Sequence, residues 1–148
     1  MSESILETVR IACNVGSDNT DFDNELILYT NSVLAIATQL GVGPKTGFRI
    51  TGESESWEDF LGDMNVDAIN TVQTYIGKKV KQLFDPPVSS AVNDSLDRNL
   101  RELEWRTNVA AESFDYTDDH DSDQATDKDC CMPISDTEIN EIVEGTSP

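Results

Sequence analysis

The chain has 148 residues, of which 29 are acidic and 10 are basic, for a formal net charge of −19 at pH 7. This length suits one small domain, and the charge argues against general binding of free nucleic acid, because phosphates would be repelled on average. The charge is uneven: residues 115–148 hold 11 acidic residues against one lysine and so carry −10, which leaves −9 for residues 1–114.

The first part of the chain is predicted to form two helices. Residues 2–14 place apolar side chains on one side of a helix, and Ser4 with Glu7 fits a capping box at its start. Residues 21–42 carry a broad apolar stripe, which indicates a long central helix that is contacted on more than one side. The main stripe consists of Phe22, Leu26, Tyr29, Val33, Ala37 and Leu40. Glycine and proline follow this stripe and predict the end of the helix.

The connection over residues 43–56 is rich in glycine, serine and threonine, and only residues 48–50 look extended. It is predicted to be a hairpin tip or a flexible loop that reaches a neighbouring subunit. Residues 56–59 resemble a cap before a short helix. We interpret Trp57 in this helix as a plug over the core, in preference to a binding hot spot.

Two amphipathic helices are predicted on either side of Pro86-Pro87, over residues 66–84 and 88–113. Proline lacks an N–H and disfavours helical geometry in the residue before it, so the first helix must stop just before the prolines, and the second can begin at Pro87. The apolar stripes consist of Val66, Ile69, Val72, Ile76, Val80 and Leu83, and of Val88, Val92, Leu96, Leu100, Leu103, Ala110 and Phe114.

These helices also carry two runs that are similar to a known family. Residues 74–87 read Thr-Tyr-Ile-Gly-Lys-Lys-Val-Lys-Gln-Leu-Phe-Asp-Pro-Pro, and residues 103–112 read Leu-Glu-Trp-Arg-Thr-Asn-Val-Ala-Ala-Glu. As a pair, the runs resemble the head–tail connector (adaptor) proteins of tailed bacteriophages, which form a ring beneath the portal protein. The clearest resemblance covers residues 66–112, with a looser similarity in helix pattern back to Glu25.

This resemblance implies a structural role in the phage neck. It implies a homo-oligomeric ring, typically of twelve copies, that docks on the portal protein through its carboxy-terminal segment and offers its other side to a downstream stopper or tail-completion protein. It implies assembly in the host cytoplasm and a final location at the head–tail junction of the virion. Genomic DNA would then pass through the channel of the ring during ejection without specific binding.

The helical patterns predict an all-α fold: a small helical bundle with two or three long helices, plus an extended acidic C-terminal tail. The predicted domains are a helical connector core over residues 1–114 and the tail over residues 115–148. The tail as far as Asp129 is nearly free of aliphatic residues and cannot bury enough surface to fold alone.

The end of the tail has a different composition. A short apolar patch is followed by a capping-box pattern at Ser135 and Glu138, which predicts a short helix that would be unstable alone. We predict that this segment docks on the portal or on a neighbouring subunit. The alternative is an acidic solubilising tail without a docking role. The predicted docking residues are Met132, Ile134, Ile139, Ile142 and Val143.

The few basic residues are clustered. Lys78, Lys79 and Lys81 crowd the end of the helix over residues 66–84, where cations complement the helix dipole. Besides this effect on the helix, we interpret these lysines as contacts to an acidic partner surface, such as the tail of a neighbouring copy.

Trp105 lies off the main apolar stripe, close to Arg98, Arg101 and Arg106. Its spacing from Arg101 allows a cation–π contact, and Glu102 is spaced to pair with either of the other two arginines. A tryptophan flanked by arginines is typical of the centre of a subunit interface, with simple packing against the core as the alternative. The predicted subunit interface consists of Lys78, Lys79, Lys81, Arg98, Arg101 and Trp105.

The sequence carries no catalytic motif: a glycine-rich phosphate loop, a Gly-x-Ser-x-Gly elbow and a His-Glu-x-x-His helix are all missing. The only histidine, His120, lies in an acidic segment. Residues 119–123 mimic half of a calcium-binding EF-hand loop, but Gln124 replaces the required glycine and Cys130 replaces the required glutamate. We therefore expect no catalytic residue, no metal site and no cofactor, and thus a protein that is not an enzyme.

The three cysteines, Cys13, Cys130 and Cys131, are odd in number, and adjacent cysteines rarely bond to each other. With no signal peptide, they predict a reduced, cytoplasmic environment. A thiol metal or redox site is the weaker interpretation, because no other Cys or His has the necessary spacing. No apolar run approaches the roughly 20 residues that cross a bilayer, so we expect a soluble protein without a membrane partner.

Two other functions are compatible with a small, acidic, helical protein. An acidic DNA mimic would occupy the basic groove of a nuclease or repressor, although it needs carboxylates on one rigid face and much of the charge here lies in the tail. A tail-assembly chaperone would retain a docking tail but would not persist in the finished particle.

Overall fold

The computed structural model of the protein describes residues 3–115, with side chains as far as Ser113. Within this range the only β-pairing is a single antiparallel bridge between Ser4 and Ser56. The predicted all-α bundle is therefore confirmed. The tail lies outside the described residues, so the division into a core and a tail stays a prediction. The helices are α1 (Ile5–Ala12), α2 (Asp23–Gln39), α3 (Trp57–Leu61), α4 (Val66–Phe84) and α5 (Ser90–Asp115).

α4 is the central helix of the bundle, because α1, α2 and α5 all pack against it. The sequence pointed to α2 for this position, and α2 packs mainly against α1 and α4. α4 begins and ends where the sequence predicted. Its first turn is capped by Asn65, whose side chain accepts a hydrogen bond from the Ala68 N–H at 2.8 Å. Its core side consists of Ala68, Val72, Tyr75, Ile76, Gly77 and Val80.

α1 approaches α4 closely at Gly77. A Cβ atom added at Gly77 would lie 3.2 Å from the Cβ of Ala12, so the absence of a side chain allows the two helices to pack at this distance.

α5 runs antiparallel to α4. Near the end of α4, Gln82 Nε2 donates to Asp97 Oδ1 at 2.6 Å, and in the middle of α4 the Tyr75 hydroxyl donates to Glu104 Oε1 at 3.1 Å. Burial, together with the Glu104 carboxylate, raises the pKa of Tyr75, which keeps its hydroxyl protonated as a donor. The reversal of direction takes place at Pro86 and follows from the break that the prolines impose.

The capping box predicted at Ser4 and Glu7 is wrong. Ser4 occupies the N-cap position of α1, but its side chain makes no capping hydrogen bond. The chain enters α1 as an extended segment paired with Ser56, and the Ile5 N–H donates to the carbonyl of Glu55 at 3.1 Å. This pairing gives an N–H group in the first turn of α1 a hydrogen-bond partner outside the helix. As a consequence, α1 begins later than the sequence predicted.

Trp57 closes the core, as predicted. Its side chain is buried, and its Nε1 donates to Thr8 Oγ1 at 2.9 Å. The predicted cap before this helix is also confirmed: Ser56 and Asp59 form a reciprocal capping box at the start of α3.

The connection between α2 and α3 packs onto the bundle and forms no hairpin, so that prediction is wrong. Contact of this loop with a neighbouring subunit stays a prediction. Asn31 of α2 accepts from the Ile50 N–H at 2.8 Å and donates to the Ile50 carbonyl at 3.0 Å, and Ile50 is buried. At the start of the connection, Gly43 has a φ of +82°, and a Cβ there would overlap the ring of Phe60. Glycine is required at this position for both reasons.

Five residues assigned to apolar stripes are exposed instead of buried. Each lies at or next to the first or last turn of a helix. The regular spacing of apolar residues continues to the end of a helix. The contact with neighbouring helices stops before that end, so the last apolar side chains stay exposed. These residues are Phe22, Val66, Leu83, Val88 and Val92.

A buried arginine joins three segments of the chain. Arg10 of α1 is only 3% exposed. Its Nε and Nη2 donate to the two carboxylate oxygens of Asp23 at the start of α2, at 2.9 and 2.5 Å, and its Nη1 donates to Glu53 Oε1 at 2.5 Å. The hydrogen bonds to Asp23, followed by the one to Glu53, raise the pKa of Arg10 above its already high ordinary value. The ion pairs compensate the cost of removing the cation from water.

Replacing Arg10 with methionine is expected to destabilise the fold, because it leaves Asp23 and Glu53 without their shared cation. Breaking a buried ion pair costs about 3–5 kcal/mol, and we expect the lower end of this range because the Glu53 side chain is exposed. Urea unfolding followed by circular dichroism measures the loss. Arg106→Met is the matched control: it breaks an exposed pair with Glu102 and should cost less than about 1 kcal/mol. Equal losses for the two variants would contradict the role of Arg10.

Glu55 organises the turn before α3 and gives a prediction for acidic pH. Hydrogen bonds from the Thr51 N–H and hydroxyl, from the Gly52 N–H and from the Ser54 hydroxyl lower the pKa of Glu55 to about 2, against an ordinary value of 4.5. Since its pKa is lower in the folded state, its ionised form stabilises the fold above pH 4.5, and this contribution is lost as the pH falls toward 2.

Glu55→Gln should therefore be less stable than the parent protein at pH 7, and the difference should shrink between pH 4.5 and pH 2. Thermal unfolding measured across this pH range tests the expectation. Glu112→Gln, which removes an exposed carboxylate of α5, is the control. A stability difference for Glu55→Gln that does not change with pH would show that the carboxylate charge is not what holds the turn.

Candidate interface surfaces

The outer side of α5 exposes a large aromatic residue. Trp105 is 66% exposed, and Val109, one turn further along, is also exposed. Residues spaced three or four apart lie on one side of a helix, so Arg98, Arg101 and Glu112 share this side. We call these five residues the Trp105 face. The residues on the packed side of α5 are Leu100, Thr107 and Ala111, which are buried.

Charges of both signs surround Trp105. Arg106 Nη2 lies 2.6 Å from Glu102 Oε1, which confirms one of the two ion pairs that the spacing allowed. Arg98 and Arg101 line a shallow depression together with Asp94 and Asp97. The arginines next to Trp105 are therefore accompanied by carboxylates on the same helix.

A groove between α1, α4 and α5 forms a second surface, which we call the α1–α4–α5 groove. It encloses about 630 Å³. The close approach at Gly77 places α1 beside α4, and the turn at the prolines returns α5 along the other side of α4. Two large apolar side chains in the groove are well exposed, Ile11 at 67% and Val92 at 55%. Its other lining residues include Ala12, Gly77, Pro87 and Leu96, with Lys78, Lys81 and Asp85 as its charged members.

The six residues predicted as the subunit interface divide between these two surfaces. Lys78 and Lys81 line the groove, while Lys79 lies beside them on α4 and is half-buried. The remaining three, Arg98, Arg101 and Trp105, belong to the Trp105 face. The docking residues predicted in the tail, from Met132 to Val143, lie outside the described residues.

The sequence analysis missed the apolar part of the groove. Ile11 was omitted because it lies off the stripe of α1, and Val92 was assigned to the core. Ile11 could have been found from the sequence, because it is a large aliphatic residue that lies outside the apolar stripe of a short helix. Nothing local indicated Gly77, because its role depends on Ala12, which lies far away in the sequence.

A further groove lies between α2 and the connection that follows it. It is lined by Leu28, which is 64% exposed, and by Phe48. Among the described residues, its charged lining members are Lys45 and Arg49, and no carboxylate of this part of the chain lines it. This charge balance distinguishes it from the α1–α4–α5 groove.

Residues 3–115 contain a single cysteine, Cys13. Cys13 is buried, and this burial raises the pKa of its thiol. In this part of the chain no group of three or more His, Cys, Asp or Glu side chains is placed to hold a metal ion. Of the helices described, none is sufficiently long and apolar to cross a membrane.

Comparison with known protein families identifies a match over most of the chain. A family model described as phage connector protein matches residues 5–113, which span the chain from the start of α1 to near the end of α5. The match confirms the resemblance indicated by the two sequence runs. No curated protein and no solved structure matches the chain.

Proposed function

The chain belongs to the phage connector protein family, and from this premise we propose that its copies form a closed ring of about twelve subunits at the head–tail junction of a tailed phage. Family membership makes the protein a structural component of the virion. The observation that carries the proposal is the extent of the match, which covers nearly all of the described helices.

The exposed surfaces of the helices support assembly into a ring. In a ring each subunit presents one surface to the next copy and a different surface to the previous copy. Among the described residues, Trp105 and the groove that contains Ile11 are separate apolar features that remain exposed in one copy. Exposed apolar surface flanked by polar residues is typical of interaction sites.

The proposed ring has different partners on its two sides. The tail would dock on the portal protein through Met132, Ile134, Ile139, Ile142 and Val143, whose spacing suits an amphipathic segment bound in a groove. The other side of the ring would receive a stopper or tail-completion protein. Assembly would take place in the host cytoplasm.

The acidic balance suits passage of DNA through the ring. Residues 1–114 carry −9, and the whole chain carries −19. A channel of this sign repels the phosphate backbone, so the genome would slide during ejection without specific binding.

We also propose that the role is structural and not catalytic. The groups with strongly shifted pKa values each hold elements of the fold together, which supports this view: Arg10 joins three segments, Glu55 closes a turn, and Tyr75 links α4 to α5.

The proposal is tested by the mass of the purified protein, both full length and truncated after Phe114, alone and mixed with the matching portal protein. We expect the full-length protein to join the portal as a closed ring and the truncated protein to fail, because the docking segment has been removed. The expected mass increase corresponds to about twelve subunits on each portal.

Other outcomes would replace the proposal. If both forms stay monomeric and ignore the portal while the full-length protein captures a DNA-binding enzyme, the protein is an acidic DNA mimic. A tail-assembly chaperone would be absent from purified virions, whereas a connector must be present in them, so mass spectrometry of virions decides between these two.

A further inference from the structure

We propose that the Trp105 face of one copy docks into the α1–α4–α5 groove of the next copy. This inference rests on the ring proposed above and names the two surfaces that would join its subunits. The groove would be completed by residues that the neighbouring copy contributes.

The positions of the two surfaces on α5 are the first argument. Leu96 lines the groove and Trp105 lies nine residues further along, which is about 2.5 turns of helix, so the two side chains point to opposite sides of α5. One copy cannot place Trp105 in its own groove. A second copy can, and because each copy then still has one free face and one free groove, the contact is head-to-tail and can be repeated around a ring.

The second argument is the match in size and polarity. A tryptophan buries about 150–250 Å² and keeps one N–H donor for a polar partner. The groove, with its 630 Å³, exposes Ile11 and Val92 to receive the apolar surface. It also offers Thr74 and Gln73 as polar partners for the indole N–H. Tryptophan and arginine are the residue types that most often dominate the binding energy of an interface.

Charge complementarity is the third argument. The groove contains the cations of Lys78 and Lys81, and the Trp105 face presents the exposed carboxylate of Glu112. The groove also contains Asp85, opposite in charge to the arginines of the Trp105 face. Both surfaces therefore carry positive and negative charges, and each offers ion-pair partners to the other.

The groove beside α2 is a poorer receptor for the same face. Its charged lining residues within 3–115 are Lys45 and Arg49, and this part of the chain places no carboxylate there to meet Arg98 or Arg101. Like charges facing each other across an interface disfavour that pairing. This groove supplies the control for the experiment.

The test uses two variants of the full-length chain, each with one damaged surface. Trp105→Ala removes the indole, and the double variant Ile11→Glu with Val92→Glu places carboxylates in the groove. All three positions are exposed, so the fold should be retained, as checked by circular dichroism and thermal unfolding. Leu28→Glu, an equally exposed aliphatic position in the groove beside α2, is the matched control.

Assembly is measured by mass, alone and with the portal protein. We expect the parent protein and Leu28→Glu to form rings, and each of the other two variants to associate about 30-fold more weakly or worse. Mixing these two variants should restore one contact, since one retains the groove and the other retains Trp105. The expected product of the mixture is a one-to-one pair that does not grow.

Rings formed by Trp105→Ala or by the groove variant would overturn the inference and leave the proposed ring intact. Loss of assembly in Leu28→Glu alone would move the receptor to the groove beside α2. If both variants fail and their mixture gives no pair, the contact is not head-to-tail between these surfaces. A parent protein that forms no ring, with or without the portal, would instead overturn the proposed function.

Discussion

The break at Pro86 and Pro87 is the constraint on which the arrangement of the helices depends. It ends α4 and returns the chain as α5, which then packs antiparallel along α4 through the hydrogen bonds of Gln82 and Tyr75. Since α1 already lies against α4 at Gly77, the returning α5 leaves a groove between α1 and itself, with α4 as the floor. The same return leaves the opposite side of α5 uncovered, and Trp105 lies on that side. Both candidate interface surfaces are thus consequences of one turn.

The buried cation holds the other half of the molecule in place. Arg10 joins α1 to the start of α2 and to the connection that ends in α3, and the exposed pair between Arg106 and Glu102 has no such reach, because both of its residues belong to α5. In a chain with so large an excess of acid, a guanidinium between two carboxylates also removes repulsion between those carboxylates. The position of α1, and with it one wall of the groove, therefore depends on a pairing between residues that are far apart in the sequence.

The sequence predicted the structure correctly where residues close together in the chain decide it. The limits of α4 follow from apolar steps of three and four residues and from the prolines, and the burial of Trp57 follows from its place in a short capped helix. It was insufficient where a distant segment decides the outcome. Ser4 fits a capping box by composition, but an extended pairing with Ser56 takes its place. Val92 fits an apolar stripe, yet its side chain is 55% exposed. The division of the basic residues between two surfaces likewise could not be predicted without knowing the direction in which each helix runs.

Charge and apolar contact act in opposite directions on assembly. With −19 on each chain, free copies repel one another, which opposes non-specific association through the exposed tryptophan. The apolar contact between Trp105 and the groove acts only at short range, so it prevails when something else holds the copies close together. In the proposed ring the portal supplies that proximity, because each docked tail raises the effective concentration of its subunit beside its neighbours. Repulsion between free copies weakens their association away from the portal, and in the proposed ring the same charge, brought together around the channel, would disfavour adhesion of DNA.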